Sequence, residues 1–147
     1  MTPHFEVLPG LPTPCSNTSS ASVLVLGTDA FVAYERGDQA DESIALLKFS
    51  GCRRVVTGGP NDEAMGNHRF CKFGLRFYCL QLLIDSPWID EVLKELHKDR
   101  TPAANIELHH FVLTLKEDTV DVLATTVQLA GTYSSHKAAM KATCELI

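Results

Sequence analysis

Asp62, Glu63 and His68 stand close together in the stretch Gly58-Gly59-Pro60-Asn61-Asp62-Glu63-Ala64-Met65-Gly66-Asn67-His68, which also supplies carboxamides and turn formers. Two carboxylates and an imidazole so placed can act as general acids and bases, or as oxygen and nitrogen ligands for a cation. Oxygen alone suits Mg²⁺ or Ca²⁺, and the imidazole adds Zn²⁺ or Mn²⁺. Neither an EF-hand spacing nor H-E-x-x-H is present, so no metal is assigned. The stretch lies between two hydrophobic runs, and loops held on a rigid scaffold are where binding groups concentrate. A plainer reading stands beside this one. Pro60-Asn61-Asp62 makes a turn, Asp62 caps a short helical turn through Met65 that Gly66 ends, and His68 is a surface imidazole.

His109-His110 is the second place. Neighbours on a strand point to opposite faces, so the two rings cannot share one ligand. His109 goes with Phe111 and Leu113, as a core histidine. His110 shares its face with Thr114, Asp121 and Thr125, and an aspartate one diagonal away can fix its tautomer. Trp88 with Phe77 and Tyr78 either lines a cavity or is simple core. Arg69, Lys72 and Arg76 follow the loop as a small basic cluster, read as an anion-attracting patch or a solvated face. Walker A, G-x-G-x-x-G and G-x-S-x-G patterns are absent, which leaves nucleotide-binding and α/β-hydrolase folds without support.

The elements that must position these residues follow from periodicity. Pro3, Pro9, Pro12 and Pro14, then Ser16 to Ser20, disfavour helix and central strand, so residues 1–21 read as an extended arm with His4 to Leu8 along a sheet edge. Residues 22–147 read as one α+β domain. Val23–Leu26 and Phe31–Tyr34 flank Gly27-Thr28-Asp29 as a hairpin. Ile44–Phe49 and Cys52–Thr57 flank Ser50-Gly51 as a second, with the polar Arg36 to Glu42 connection between the two. Phe77–Ile84, apolar except at Gln81, reads as a strand covered on both faces. Ser86 then caps a helix that Pro87 begins, with Ile89, Val92, Leu93 and Leu96 inward and an end near Asp99, before Thr101-Pro102. Leu108–Leu115 and Thr119–Val127 form a third hairpin turning at Glu117-Asp118, with Lys116 opposite Thr119. A last helix capped by Ser134 or Ser135 runs to about Leu146, with Ala139, Met140, Thr143 and Cys144 inward. The sum is a mostly antiparallel, curled sheet built from hairpins and packed against one or two helices.

The chain has 147 residues, 45% apolar and 21% charged, with a net charge of −5. That is the composition of a globular domain, and its sign disfavours nucleic acid and anionic membrane surfaces. No run is long enough to span a membrane, and no basic head precedes an apolar core at the N-terminus, so no signal peptide is expected. Five cysteines without C-x-x-C spacing read as free, buried thiols of a cytoplasmic protein.

Gly59-Pro60-Asn61-Asp62-Glu63-Ala64-Met65 with His68, then Gly74-Leu75, Tyr78, Ser86, Trp88 and His110-Phe111 with Thr114, resemble a pattern in a group of short bacterial proteins of unknown function. The resemblance spans roughly residues 30 to 126. It implies that the loop and the His110 strand belong to one architecture, and it brings no activity, cofactor or partner. The expected function is binding of a small molecule or protein partner near the loop, with Asn61, Asp62, Glu63, His68, Trp88 and His110 as contacts. The alternatives are a small hydrolase or isomerase, metal-assisted or not, using Asp62, Glu63, His68 and His110, or a structural homodimer joined through a sheet edge.

Overall fold

A computed structural model describes residues 2–17, 20–37, 42–97 and 107–145. In chain order the strands are β1 (His4–Val7), β2 (Ser22–Leu26), β3 (Asp29–Glu35), β4 (Ile44–Ser50), β5 (Arg54–Val56), β6 (Leu80–Ile84), β7 (His109–Thr114), β8 (Thr119–Ala124) and β9 (Thr126–Tyr133). The α-helices are α1 (Pro87–His97) and α2 (His136–Glu145), and 3₁₀ segments cover Asp62–Asn67 and Cys71–Phe73. The class is α+β, and every strand pairing is antiparallel.

The strands form two sheets, ordered β1-β6-β7-β8-β5 and β2-β3-β4-β9. Alternation decides what lies between them. Ala30, Val32 and Tyr34 of β3 and Ala45, Leu47 and Phe49 of β4 meet Phe111, Leu113, Val120 and Val122 of the other sheet in the main core. The residues in between point outward. Phe31, Ala33, Ile44 and Leu46 are covered by Ala139 of α2, whereas Val112 and Leu123 are covered by Phe70 and by Val92 of α1. Both faces of each central strand are thus buried, which explains their near-continuous apolar sequences. The curled sheet is therefore two sheets packed on each other, with the helices on the outer faces. Among the described residues no helix is long and apolar enough to cross a membrane.

Several local expectations hold. His4–Val7 lies on the sheet edge beside β6, the first hairpin pairs β2 with β3, and Pro87 opens α1. Others change. The runs around Ser50-Gly51 do not form a hairpin: β4 pairs with β3 and β9, and β5 pairs with β8 in the other sheet. Gly51 has φ 66°, and a Cβ there would lie 2.5 Å from Thr125 Oγ1, so the chain crosses between sheets where only glycine fits. Thr125 is also where the expected Thr119–Val127 strand divides, β8 staying in one sheet and β9 crossing to the other. Thr114, not Lys116, pairs with Thr119. This shift of two residues keeps both faces intact, because the side-chain period is two. The strand beginning at Phe77 starts at Leu80 instead, and Phe77 is exposed. Gln81 is fully buried, its amide bonding the backbone of Arg76 on both sides, which is how an apolar strand accommodates it.

Only Val92 of α1 is fully buried; Ile89, Leu93 and Leu96 pack at the margin of the same cluster. In α2, Ser135 Oγ accepts the Ala138 N–H at 3.0 Å, and Cys144 is exposed rather than inward. Cys52, Cys71, Cys79 and Cys144 are free thiols, and Cys15, Cys52, Cys71 and Cys79 are only half-buried. Expectations for Thr18 and Ser19, for Asp38 to Asp41, for the helix end at Asp99 with Thr101-Pro102, and for Leu146 lie outside the described residues.

Candidate functional site

His110 and Asp121 project from the outer face of the five-stranded sheet, beneath α1. His110 pairs with Leu123 and Val112 with Asp121, which sets the two polar residues on a diagonal. That diagonal closes as a hydrogen bond, His110 Nε2 to Asp121 Oδ2 at 2.7 Å. The other carboxylate oxygen accepts from His68 Nε2 at 2.8 Å. Ser86 Oγ lies 2.7 Å from His110 Nδ1, and the Phe70 backbone N–H donates to His68 Nδ1 at 3.1 Å. A ring nitrogen that accepts a hydrogen bond carries no proton, so His68 is the neutral Nε2–H tautomer. Burial pushes the Asp121 carboxyl up, but hydrogen bonds from His110 and His68 more than offset it, leaving the group below the usual carboxylate range. Asp121 is therefore an anion with only 8% of its side chain open.

Each member is positioned by a recognisable local device. Asn61 Oδ1 accepts the Ala64 N–H at 2.9 Å and so caps the 3₁₀ segment, a role expected of Asp62. Met65 is buried and anchors that segment, and the His68 N–H closes it on the Met65 carbonyl. Asp62 instead accepts from Tyr78 Oη at 2.6 Å and Lys116 Nζ at 2.9 Å. The Lys116 ammonium, then the Tyr78 hydroxyl, holds its carboxyl below the ordinary range. Ser86 precedes α1, as a cap would, but its hydroxyl turns to His110 and not to the helix. Asp85, immediately before it, has φ 56°, a left-handed conformation at the strand-to-helix turn. Trp88 and Phe70 set ring edges against His110 at centroid distances of 5.2 and 5.1 Å.

Of the residues expected from the sequence, His68, His110 and Trp88 come together. Asn61, Asp62 and Glu63 do not join that network: Asn61 caps the loop's own 3₁₀ segment, Asp62 ties the loop to Lys116 and Tyr78, and Glu63 is exposed. His68, read as a surface imidazole in the plainer alternative, is buried. His109, expected in the core, is half-exposed and paired with Glu107 at 3.3 Å. The basic cluster disperses, Arg69 pairing with Glu91 and stacking on Phe70 while Lys72 covers Phe73. Asp121 was visible in sequence only as a companion of His110, and Ser86 only as a cap. Nothing in their neighbours signals that one carboxylate serves two imidazoles.

Beside the network is a cleft of about 220 Å³ between the loop and the start of α1. Its walls are Val56, Pro60, His68, Phe70 and Trp88, with Asp121 and Thr119 among its polar groups and Arg69 also lining it. Thr119 Oγ1 is buried without a hydrogen-bond partner. Gly59 presses against it: a Cβ on Gly59 would lie 2.0 Å from that oxygen. Among the described residues no three His, Cys, Asp or Glu side chains are grouped to hold a metal ion. Comparison of the chain with protein-family models, curated proteins and solved structures finds no match.

Proposed function

We propose that this is a cytoplasmic protein that binds a small molecule in the cleft between the 58–70 loop and Trp88. The observation that carries the reading is a buried carboxylate, Asp121, whose two imidazole partners leave acceptor positions open, lining a cleft walled by aromatic rings. Apolar walls with a few convergent polar groups are the general form of a small-molecule site. At about 220 Å³ the cleft falls below the roughly 300–1,000 Å³ of sites for drug-sized ligands, so the occupant is smaller. Trp88 is the single tryptophan of the chain, so intrinsic fluorescence reports on this cleft directly. A metabolite screen read by Trp88 emission and melting temperature tests the proposal. A hit that persists in Val56→Phe, where the added ring enters the cleft, would place binding elsewhere.

A second reading rests on a different observation, the continuous chain Ser86–His110–Asp121. A serine whose proton can pass to an imidazole held by a buried carboxylate is the arrangement of a hydrolytic nucleophile. Here the ring is turned end for end, Nδ1 facing the serine. In such a reaction Ser86 Oγ would bond to the acyl carbon of a small ester as His110 Nδ1 takes the hydroxyl proton. That proton would leave with the alcohol, and water would then release the acid. Ser86 lines a shallow depression with Asp85, Ile89, Asp90 and Leu108. A burst of p-nitrophenol from p-nitrophenyl acetate, lost in Ser86→Ala, would support this reading, and no burst would end it.

A further inference from the structure

We infer that the cleft selects a compact, planar organic cation with at least two N–H donors, of the amidinium or guanidinium kind. This rests on the cleft being a binding site and names the chemistry it takes. Each carboxylate oxygen has two acceptor positions, and the two imidazoles occupy only one on each oxygen of Asp121. Positions for further donors therefore remain on a group that lines the cleft.

Among the described residues no lysine or arginine pairs with that group; its partners are the two imidazoles. His68 is neutral because its Nδ1 already accepts the Phe70 N–H. Arg69 lines the cleft, but its guanidinium is committed to Glu91 and to the Phe70 face. The cleft thus presents a buried carboxylate with open acceptor positions and aromatic walls. A buried anion gains most from a ligand cation, and aromatic rings such as Trp88 favour planar cations further. Two donors on one planar group can engage both oxygens of Asp121, as paired donors do in bidentate recognition. An anionic ligand would meet the Asp121 carboxylate, and the Arg69 guanidinium beside it is already paired with Glu91.

Benzamidinium, with benzamide and benzoate as its neutral and anionic isosteres, separates the possibilities, with Trp88 emission and melting temperature as readouts. Benzamidinium should bind at least about tenfold more tightly than benzamide, and benzoate should not bind, because a hydrogen bond to a charged partner outweighs a neutral one. Val56→Phe, which fills the cleft from an exposed position, should weaken benzamidinium several-fold while the ligand-free melting temperature stays level. Asp121→Asn should abolish the preference for the cation, and the ranking of the three ligands on the wild-type protein decides if that variant fails to fold. Equal binding of all three, or preference for benzoate, overturns the assignment while leaving the cleft as a binding site. Silence of Trp88 towards all three also overturns it. The metabolite screen with Val56→Phe then decides separately whether the cleft binds anything.

Discussion

His68 Nε2 lies 2.8 Å from Asp121 Oδ1, a hydrogen bond between residues separated by 53 positions and buried at both ends. It fastens the polar loop to the sheet on the same carboxylate that holds His110. Loop, sheet and, through Ser86, the start of α1 therefore share one anchoring group.

Replacing that carboxylate should be costly. Asp121→Asn leaves an amide nitrogen facing one imidazole N–H, so a buried donor loses its acceptor. Breaking one partner of a buried charged network costs about 2–5 kcal/mol, measurable by urea unfolding at neutral pH. The sign with pH follows from the folded carboxyl being held below its ordinary value. Its contribution is present above the unfolded value of about 4 and is lost as pH falls through the folded one. The difference between wild type and variant should shrink in acid, and a constant difference would mean the charge is not what matters.

Gly59 should tolerate no side chain, for reasons of space rather than backbone conformation. Gly59→Ala sets a Cβ 2.0 Å from Thr119 Oγ1 and 3.3 Å from its Cβ. Overpacking of this kind costs about 1–3 kcal/mol. Thr119→Ala in the same chain removes the closer contact. A double-mutant cycle should therefore show a coupling of at least about 0.5 kcal/mol, and simple additivity would show that the clash is relieved elsewhere.

Asn61 and Asp62 should separate cleanly. Asn61→Ala removes the cap oxygen of the 3₁₀ segment and should lose about 0.5–2 kcal/mol at any pH. Asp62→Ala loses the Tyr78 and Lys116 partners instead, so its effect should depend on pH. Asp62 is lowered and Lys116 raised by their mutual hydrogen bond. The contribution is lost in acid as Asp62 protonates and in strong base as Lys116 deprotonates, and it is full between. Denaturation midpoints at acid, neutral and alkaline pH check both statements.

In α1 the burden falls on Val92. Val92→Ala should destabilise by about 1–3 kcal/mol, because it leaves a void against Leu108 and Leu123. Leu93→Ala, at the cluster margin, should fall below the roughly 2–5 kcal/mol of a fully buried leucine. Chemical denaturation of the two variants tests the ranking, and a larger loss at Leu93 would reverse the assigned face.

Periodicity alone determined much of this protein. The α+β class, the edge strand His4–Val7, the β2–β3 hairpin, the start of α1 at Pro87 and the placement of His110 and Asp121 on one strand face all follow from spacings of two and of three to four residues. Those are local properties, written in neighbouring residues. The division of the strands into two sheets was not legible, because a strand that crosses at Thr125 reads the same as one that continues. Only the tertiary structure brought His68 to Asp121, turned Ser86 from the helix to His110, and left Thr119 Oγ1 beside Gly59 without a partner. Hydrogen bonds between distant residues are decided by how packed layers converge, and a single sequence carries no periodic trace of them.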